Sequence, residues 1–236
     1  MRVEQIGDAT LYCADCRDVL PTLTGVDAVV TDPPYGIGAD KNLRANKRHG
    51  AAAVASRDYG FGTWDSQPVD PALLNQAIGM AAEAIVWGGN YFELPPSSCW
   101  LVWDKDNGDN GYADCELAWT NLPIAVRKIK WRWMGMLQQV MADKEERVHP
   151  TQKPLEVMRW CLSFVTGTVL DPFMGSGTTG VACARLGRRF IGVEIEPRYF
   201  DIACRRIEAA YRQRDLFVPA PSRPVATTAD MFAEEK

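Results

Sequence analysis

Residues 167–180, GTVLDPFMGSGTTG, carry the clearest signal of fold in this chain. The stretch opens with a short apolar run that predicts a buried strand, and a glycine-rich turn follows it directly. Three glycines fit the spacing G-x-G-x-x-G, namely Gly175, Gly177 and Gly180. Glycines at this spacing permit a tight turn and bring the backbone close to a ligand. A helix is predicted over 178–187, so the stretch forms the repeating unit of a parallel α/β sheet.

The next predicted strand, RRFIGVEI at 188–195, carries an acid where a nucleoside cofactor would need one. Glu194 stands 19 residues after Gly175, and an acid there can accept both hydroxyls of a ribose. The pattern suits any adenosine-containing cofactor, so a nicotinamide dinucleotide has to be considered. A dinucleotide fold needs further strands after this acid, whereas only 42 residues follow, with one predicted helix from Pro197 to about Arg212. That shortage argues against the dinucleotide.

The rest of the chain continues the alternation of strands and helices. Apolar runs predict strands at 11–13, 27–32, 84–88, 99–104 and 115–120, and helices over 71–82 and 154–164. Strands separated by helices predict a parallel sheet covered on both faces. Residues 36–66 show no clear period, which is typical of a functional or mobile loop. The segment 213–236 is rich in Pro, Ala, Ser and Thr and is predicted to be a disordered tail.

Composition narrows the class of protein. The chain has 236 residues, a net charge of −4 and 47% hydrophobic residues, all ordinary for one globular enzyme domain. No apolar stretch approaches the roughly 18 residues that a membrane helix needs, and the first residues lack a secretion signal. We therefore expect no membrane partner and a cytoplasmic location. Membrane proteins, secreted disulfide scaffolds, fibrous proteins and largely disordered chains are excluded.

Seven scattered cysteines are typical of reduced thiols. Cys13 and Cys16 form a C-x-x-C, but a zinc site needs a second pair at similar spacing, which is missing from the sequence. We interpret Cys13 as part of a strand and Cys16 as part of the turn after it. No metal is expected.

Two basic segments stand out in the acidic chain. Residues 39–63 and 124–148 each carry a net charge of +3. The second contains RKIKWRW at 127–133, in which cations suited to phosphates alternate with tryptophans suited to stacking on bases. Solvated loops, or a strand whose tryptophans face the core, explain the same pattern.

The sequence TDPPY at 31–35 follows a predicted buried strand, where ligands bind in open α/β sheets. Pro33 and Pro34 fix the backbone and lack N–H groups. The carboxylate of Asp32 and a rigid carbonyl form a clamp of two acceptors for an NH₂ group. Tyr35 offers a flat face to a ring. The arrangement suits an exocyclic amine on a planar heterocycle.

DPPY at 32–35, HPTQKP at 149–154 and DPFMGSGTT at 171–179 together resemble the S-adenosylmethionine-dependent DNA amino-methyltransferases. Their order along the chain is similar to that of the beta group of this family. AIVWGGNYF at 84–92, WLVWDKDNG at 100–108 and CELAWT at 115–120 agree with the resemblance. It implies a single, circularly permuted, Rossmann-like methyltransferase domain over 1–212, with a mostly parallel seven-stranded sheet, helices on both faces and DNA-contact insertions at about 36–66 and 121–148.

The resemblance also implies roles for residues. Asp32 and the Pro33 carbonyl would hold the target amine, with Pro34 shaping the turn and Tyr35 stacking on a flipped base. The methyl group would move by direct displacement, without a covalent enzyme intermediate. Glu194 would bind the ribose, and Asp15 and Cys16 would lie near the adenine, while Thr151 and Lys153 would lie near the methionine carboxylate. The remaining cofactor-binding candidates are His149, Asp171, Phe173, Gly175, Ser176, Gly177 and Thr178.

The target base and the polymer follow from the same resemblance. DPPY is more typical of adenine-N6 than of cytosine-N4 enzymes, so N6-adenine methylation of double-stranded DNA is predicted and N4-cytosine is the alternative. A nicotinamide-dependent oxidoreductase and a catalytically silent DNA-binding relative are alternatives of another class. The candidate DNA contacts are Lys41, Arg44, Lys47, Arg48, Arg127, Lys128, Lys130 and Arg132. Members of the beta group often dimerise, so a homodimer is also expected.

Overall fold

The computed structural model describes residues 1–38, 65–108, 113–134, 137–141, 144–149 and 151–215. Most of the predicted loop at 36–66 and of the predicted tail at 213–236 therefore lies outside the described residues. Five α-helices are placed in the described part: α1 Cys16–Val19, α2 Pro71–Ile78, α3 Leu155–Leu162, α4 Thr178–Leu186 and α5 Pro197–Asp215.

A mixed sheet of nine strands forms the centre of the described fold, with the order β1-β2-β11-β10-β3-β4-β6-β5-β7. Its strands are β1 Arg2–Ile6, β2 Ala9–Cys13, β3 Ala28–Thr31, β4 Glu83–Trp87, β5 Trp100–Asp104, β6 Cys115–Thr120, β7 Arg127–Lys130, β10 Val169–Asp171 and β11 Phe190–Glu194. A separate hairpin consists of β8 Trp133–Met134 and β9 Leu137–Gln138.

The α/β class is confirmed, but the prediction of seven strands was wrong. The two strands of this sheet that the sequence did not predict, β1 and β7, lie at its edges and are largely exposed, so neither shows an apolar run. β1 pairs antiparallel with β2, and β7 pairs parallel with β5. Two further antiparallel pairs join β6 to β4 and β5. The predicted circular permutation stays a prediction.

Buried residues pack on both faces of the sheet, because successive side chains of a strand point to opposite faces. One core cluster joins α3, α4 and α5 to residues such as Val30 and Ile85. The other joins α1 and α2 to Val29 and Val86, the sequence neighbours of those two. This confirms the prediction of helices on both faces.

The chain changes direction between β10 and β3, which are adjacent parallel strands. From β10 it continues through α4 to β11 on one side, and from β3 it continues through α2 to β4 on the other side. A crevice forms at such a point beyond the carboxyl ends of the strands, and ligands bind there in open α/β sheets. Asp171 ends β10 and Asp32 follows β3, so both acids lie at this crevice.

The helices of the described residues are too short or too polar to span a lipid bilayer.

Candidate active site

A cavity of about 380 Å³ lies at the carboxyl ends of the parallel strands, and its size is within the range of small-molecule sites. Most of the residues predicted from sequence line it: Asp15, Cys16, Asp32, Pro34, His149, Thr151, Lys153, Asp171, Phe173, Gly175, Ser176, Thr178 and Glu194. Gly177 is buried behind the turn, where an added Cβ would contact Ala203 of α5. The structure therefore brings TDPPY, HPTQKP and the glycine turn together.

Asp32 is held by two internal donors. The Lys153 ammonium lies 2.6 Å from Asp32 Oδ2, and the Tyr35 hydroxyl donates to Oδ1. Burial raises the pKa of Asp32, while the ammonium and the hydroxyl oppose that shift. The carboxylate is thus an acceptor that faces the cavity with both oxygens already ordered.

Tyr35 packs between aromatic and backbone neighbours. Its ring stacks on Tyr91 at a centroid distance of 4.9 Å and an interplanar angle of 17°. Gly88, which directly follows β4 and has a φ of +66°, leaves room for this ring, because an added Cβ would clash with it. The prediction that Tyr35 offers a face for stacking stays a prediction, since Tyr91 takes one face here. No role was predicted for Gly88 or Tyr91, although the Gly88-Gly89 pair at a strand end is a signal of close approach.

Lys153, for which a place near the methionine carboxylate is predicted, has its ammonium beside Asp32. Its ammonium binds Asp32 and also Glu116 Oε2 at 3.1 Å, and Lys105 binds the other oxygen of Glu116 at 2.7 Å. Burial alone would raise the pKa of Glu116, but the two ammonium groups lower it to about 2. Glu116 was not predicted from the sequence. A glutamate within the otherwise apolar strand CELAWT is the signal that could have shown it.

Asp171 shapes the turn from inside the protein. Its carboxylate accepts hydrogen bonds from Thr31 Oγ1 at 2.8 Å, from Thr179 Oγ1 at 2.7 Å and from the Phe173 amide at 3.1 Å. Burial raises its pKa to about 6. These bonds tie β10 to β3 and fix the start of the glycine turn, so this residue shapes the cavity as well as lining it.

Glu194 meets the glycine turn as its spacing predicts. Its carboxylate accepts from the Gly175 amide at 2.9 Å and from the Glu196 amide at 2.7 Å. Burial raises its pKa to about 7, because these two hydrogen bonds do not offset the loss of hydration. Asp15, two residues after the neighbouring strand β2, caps α1 by accepting from the Arg17 amide. Glu194 ends β11 and Asp15 follows the adjacent strand β2, so the two acids lie at the same edge of the sheet.

Cys16 is buried at the start of α1, and burial raises the pKa of its thiol to about 11. All seven cysteines are free thiols and belong to the described residues. A thiol with such a pKa is a poor nucleophile and metal ligand at neutral pH. Cys16 therefore acts as a small apolar wall of the cavity.

His149 lines the cavity and is uncharged near neutral pH. Burial lowers its pKa to about 3, and the nearby cations Arg147, Lys153 and Arg206 add to that shift. Its ring packs edge-on against Tyr199, and its Nδ1 lies 3.1 Å from Thr151 Oγ1. A histidine with this pKa carries no charge near neutral pH, so it offers shape and hydrogen bonding to a ligand.

Arg206, on α5, fixes the glycine turn from behind. Its guanidinium donates to Ser176 O at 2.7 Å, to Ser176 Oγ at 3.0 Å and to Thr178 Oγ1 at 3.2 Å. It also pairs with Glu145 at 3.2 Å. Nothing in the sequence near Arg206 indicates this contact, because the helix and the turn meet only in the folded chain.

The candidate DNA contacts fall into two groups. Lys41, Arg44, Lys47 and Arg48 lie outside the described residues. The others lie on or just after the edge strand β7 and are exposed: Arg127, Lys128, Lys130 and Arg132. Asp104 pairs with Lys128, and Asp106 pairs with Lys130 and Arg132. The tryptophans between them, Trp131 and Trp133, are partly buried against the core. The alternative in which they face the core therefore fits better than base stacking.

Comparisons with known proteins find DNA methylases. The family model described as DNA methylase, of the N6/N4 class, matches residues 99–205, a range that includes Glu116, Lys153 and Glu194. The type II methyltransferase M2.DpnII of Streptococcus pneumoniae is 44% identical over 86 residues, which are 35% of this chain and 32% of that protein. The chain spans less than half the length of the curated relatives it matches.

Solved structures share the fold. The crystal structure of the M1.HpyAVI–SAM complex is 25% identical, with a TM-score of 0.53, and covers 84% of this chain and 98% of its own. The PvuII DNA methyltransferase, described as cytosine-N4-specific, also reaches a TM-score of 0.53 but is 14% identical, so it shows the fold alone. The matched family model and these relatives together show that the chain is similar to the N6/N4 DNA methylases.

Proposed function

We propose that this chain transfers a methyl group from S-adenosylmethionine to the exocyclic N6 amine of a flipped-out adenine in double-stranded DNA. One observation carries the proposal. A single cavity is lined both by the ribose-type acid Glu194 with its glycine turn and by the amine-type acceptor Asp32. Glu194 ends β11 and Asp32 follows β3, with β10 between the two strands. Two strand spacings separate them by about 10 Å, which suits two reactants bound side by side.

The residues present fit S-adenosylmethionine, the ligand of the M1.HpyAVI–SAM complex. Glu194 offers carboxylate oxygens to ribose hydroxyls, and Asp15 and Cys16 would border the adenine. Phe173 and the backbone of the glycine turn would hold the methionine part. When bound, this cofactor supplies a methyl group activated by a positive sulfonium. The neutral His149 adds no cation that would repel the sulfonium.

Asp32 and the Pro33 carbonyl would orient the target amine toward that methyl group. A hydrogen bond to each acceptor draws the nitrogen lone pair out of conjugation with the ring. The target base must leave the duplex first, since its amine is out of reach inside the helix. Most of the rate enhancement then comes from positioning and from exclusion of water. The proton of the amine leaves after the sulfonium charge has disappeared, so Asp32 need not be a strong base.

Adenine is preferred over cytosine because DPPY is more typical of the adenine-N6 enzymes. Both amines fit the same pair of acceptors, so cytosine-N4 is the second candidate. The curated relatives named as type II methyltransferases support a place among the modification enzymes of restriction-modification systems. Contacts with phosphates by the basic segments and formation of a homodimer are part of the same proposal.

The test is methyl transfer from labelled S-adenosylmethionine to mixed genomic DNA, followed by nucleoside analysis of the digest. N6-methyladenine is the expected product, whereas N4-methylcytosine would refute the choice of base. Asp32→Ala should abolish transfer and keep cofactor binding, because its side chain holds the amine. Asp8→Ala is the matched control, since Asp8 is exposed on the β1–β2 turn at the other end of β2. Binding of a nicotinamide nucleotide in place of S-adenosylmethionine would establish the oxidoreductase alternative.

A further inference from the structure

We propose that Lys153 and Glu116 are positioning residues for Asp32, and that Lys153 does not anchor the carboxylate of the cofactor. This inference rests on the proposed function, because Asp32 has a role only if an amine is its target. Asp32 directly follows β3, Lys153 precedes α3, and Glu116 belongs to β6. The three side chains come from distant parts of the sequence and meet at one point.

The Lys153 ammonium has three internal partners, two carboxylates and the Tyr35 hydroxyl, which lies 3.4 Å away. Its side chain is 7% exposed, and two carboxylates contact its ammonium at 2.6 Å and 3.1 Å. The same ammonium lies over the rings of Trp87 and Tyr35, at 5.4 Å and 5.8 Å from their centroids. An ammonium donates three hydrogen bonds, and here carboxylates and aromatic faces surround it. A third carboxylate would have to displace one of these partners.

The charges of this cluster balance. Asp32 and Glu116 supply two negative charges, and Lys153 and Lys105 supply two positive charges. A buried charge is tolerated only when it is paired, so the removal of one member leaves the others uncompensated. Glu116 is the second carboxylate on Lys153, and Lys105 holds Glu116 in turn. Lys153 therefore presents its charge to Asp32 in one geometry.

The cluster of Lys153 and Glu116 controls the ionisation of Asp32. The ionised form of Asp32 is the stronger acceptor for the amine, yet Asp32 is partly buried, which favours the protonated form. The ammonium of Lys153 stabilises the ionised form, and the charge of Glu116 weakens that effect. The other groups that face Asp32 are Tyr35, whose hydroxyl donates to it, and Asp171, whose negative charge disfavours its ionisation. Lys105 acts on it through Glu116.

Lys153 and Glu116 act on the pKa of Asp32 in opposite directions, and two substitutions test this. Lys153→Met removes a positive charge from Asp32, and Glu116→Gln removes a negative one. The acid limb of the pH profile of kcat should therefore move to higher pH in the first variant, by about one to three units, and to lower pH in the second. Lys153→Arg, which keeps the charge, should retain the acid limb of the wild type. Glu93→Gln, at an exposed residue, is the matched control for Glu116→Gln.

Cofactor binding separates this proposal from the anchoring role. The dissociation constant of S-adenosylmethionine should change less than about threefold in Lys153→Met, while kcat at saturating cofactor falls by about 100-fold or more, the cost of misplacing a reacting group by about 1 Å. Cofactor binding by each variant also reports that it is folded. A dissociation constant raised tenfold or more, with kcat unchanged, would show that Lys153 anchors the cofactor and would overturn the proposal.

The ionisation of Asp32 can also be measured without catalysis. This measurement separates failure of the positioning role from failure of the proposed function. The carboxyl ¹³C resonance of Asp32 can be titrated in aspartate-labelled protein and assigned with Asp32→Asn. Its midpoint should move in opposite directions in Lys153→Met and Glu116→Gln. If wild-type protein methylates no DNA, the proposed function fails and this titration still tests the coupling. Shifts in the same direction, or no shift in either variant, would refute the positioning role.

Discussion

Replacement of Glu194 by glutamine tests the cofactor site through its pH dependence. Burial raises the pKa of this carboxyl to about 7, so its ionisation changes within the physiological range. Ribose hydroxyls donate to the ionised carboxylate, and protonation removes acceptor capacity. About nine-tenths of the groups are ionised at pH 8 and about one-tenth at pH 6. The affinity for S-adenosylmethionine should therefore fall about tenfold between these values, or about 1.4 kcal/mol.

Isothermal titration calorimetry at pH 6, 7 and 8 measures this change. The α-amino group of the ligand titrates near 8 as well, so the informative quantity is the difference in pH dependence between wild type and Glu194→Gln. The variant should bind more weakly at pH 8 and lose the tenfold dependence. His149 does not interfere, because its pKa of about 3 keeps it neutral throughout. Equal pH dependence in wild type and variant would refute the assignment of Glu194 to the ribose.

The same shift predicts the stability of the protein without cofactor. The folded pKa of Glu194 lies above the ordinary value of 4.5, so its stabilising contribution is fully present below pH 4.5 and is lost as the pH rises through 7. The full difference is about 3 kcal/mol. Urea unfolding at pH 5 and pH 8 should show a smaller loss of stability for Glu194→Gln than for wild type. Asp171 titrates in the same direction with a pKa of about 6, and the comparison with the variant subtracts its contribution.

Two other predictions concern the target side of the site. Gly88→Ala should lower methyl transfer and leave cofactor affinity unchanged. A residue with a Cβ at a φ of +66° destabilises the fold by about 1–2 kcal/mol, and the added Cβ would displace Tyr35. Unchanged transfer in a kinetic assay would contradict this prediction. Asp106→Asn should strengthen DNA binding and steepen its salt dependence, because it releases Lys130 and Arg132 for contacts with phosphates. Fluorescence anisotropy titrations at several salt concentrations measure this effect. No gain in DNA affinity would argue against a DNA-contact role for this edge of the sheet.

Much of the fold could be predicted because its central strands are buried on both faces. β3 and β10 are continuous apolar runs, and the glycine turn that follows β10 has a distinctive spacing. The edge strands lacked this signal. β1 and β7 are exposed along most of their length, and their alternation is weak. The Gly7-Asp8 turn between β1 and β2 does fit a two-residue hairpin, so β1 was within reach of sequence reasoning.

The candidate site was predictable where its parts are local motifs. Asp32, the glycine turn and Glu194 each lie at or directly after the end of a strand, and the carboxyl ends of parallel strands meet at one edge of the sheet. The partners of Lys153 could not be predicted, because a motif does not state the partner of a charged side chain. The structure supplies that partner on a strand whose sequence carries no motif for it.

Local patterns of apolar runs, glycines and prolines are enough to predict the α/β class, many of the polar residues that line the cavity and the resemblance to the DNA methylases. The place of Glu116 in the site depends instead on the folded chain. β6 runs antiparallel to β4 and β5, so its beginning lies at the edge of the sheet where they end. Folding likewise brings Arg206 to the glycine turn and Asp106 to two cations of the basic segment. Strand direction and long-range charge pairing arise from packing across the whole chain, and no local window of sequence contains them.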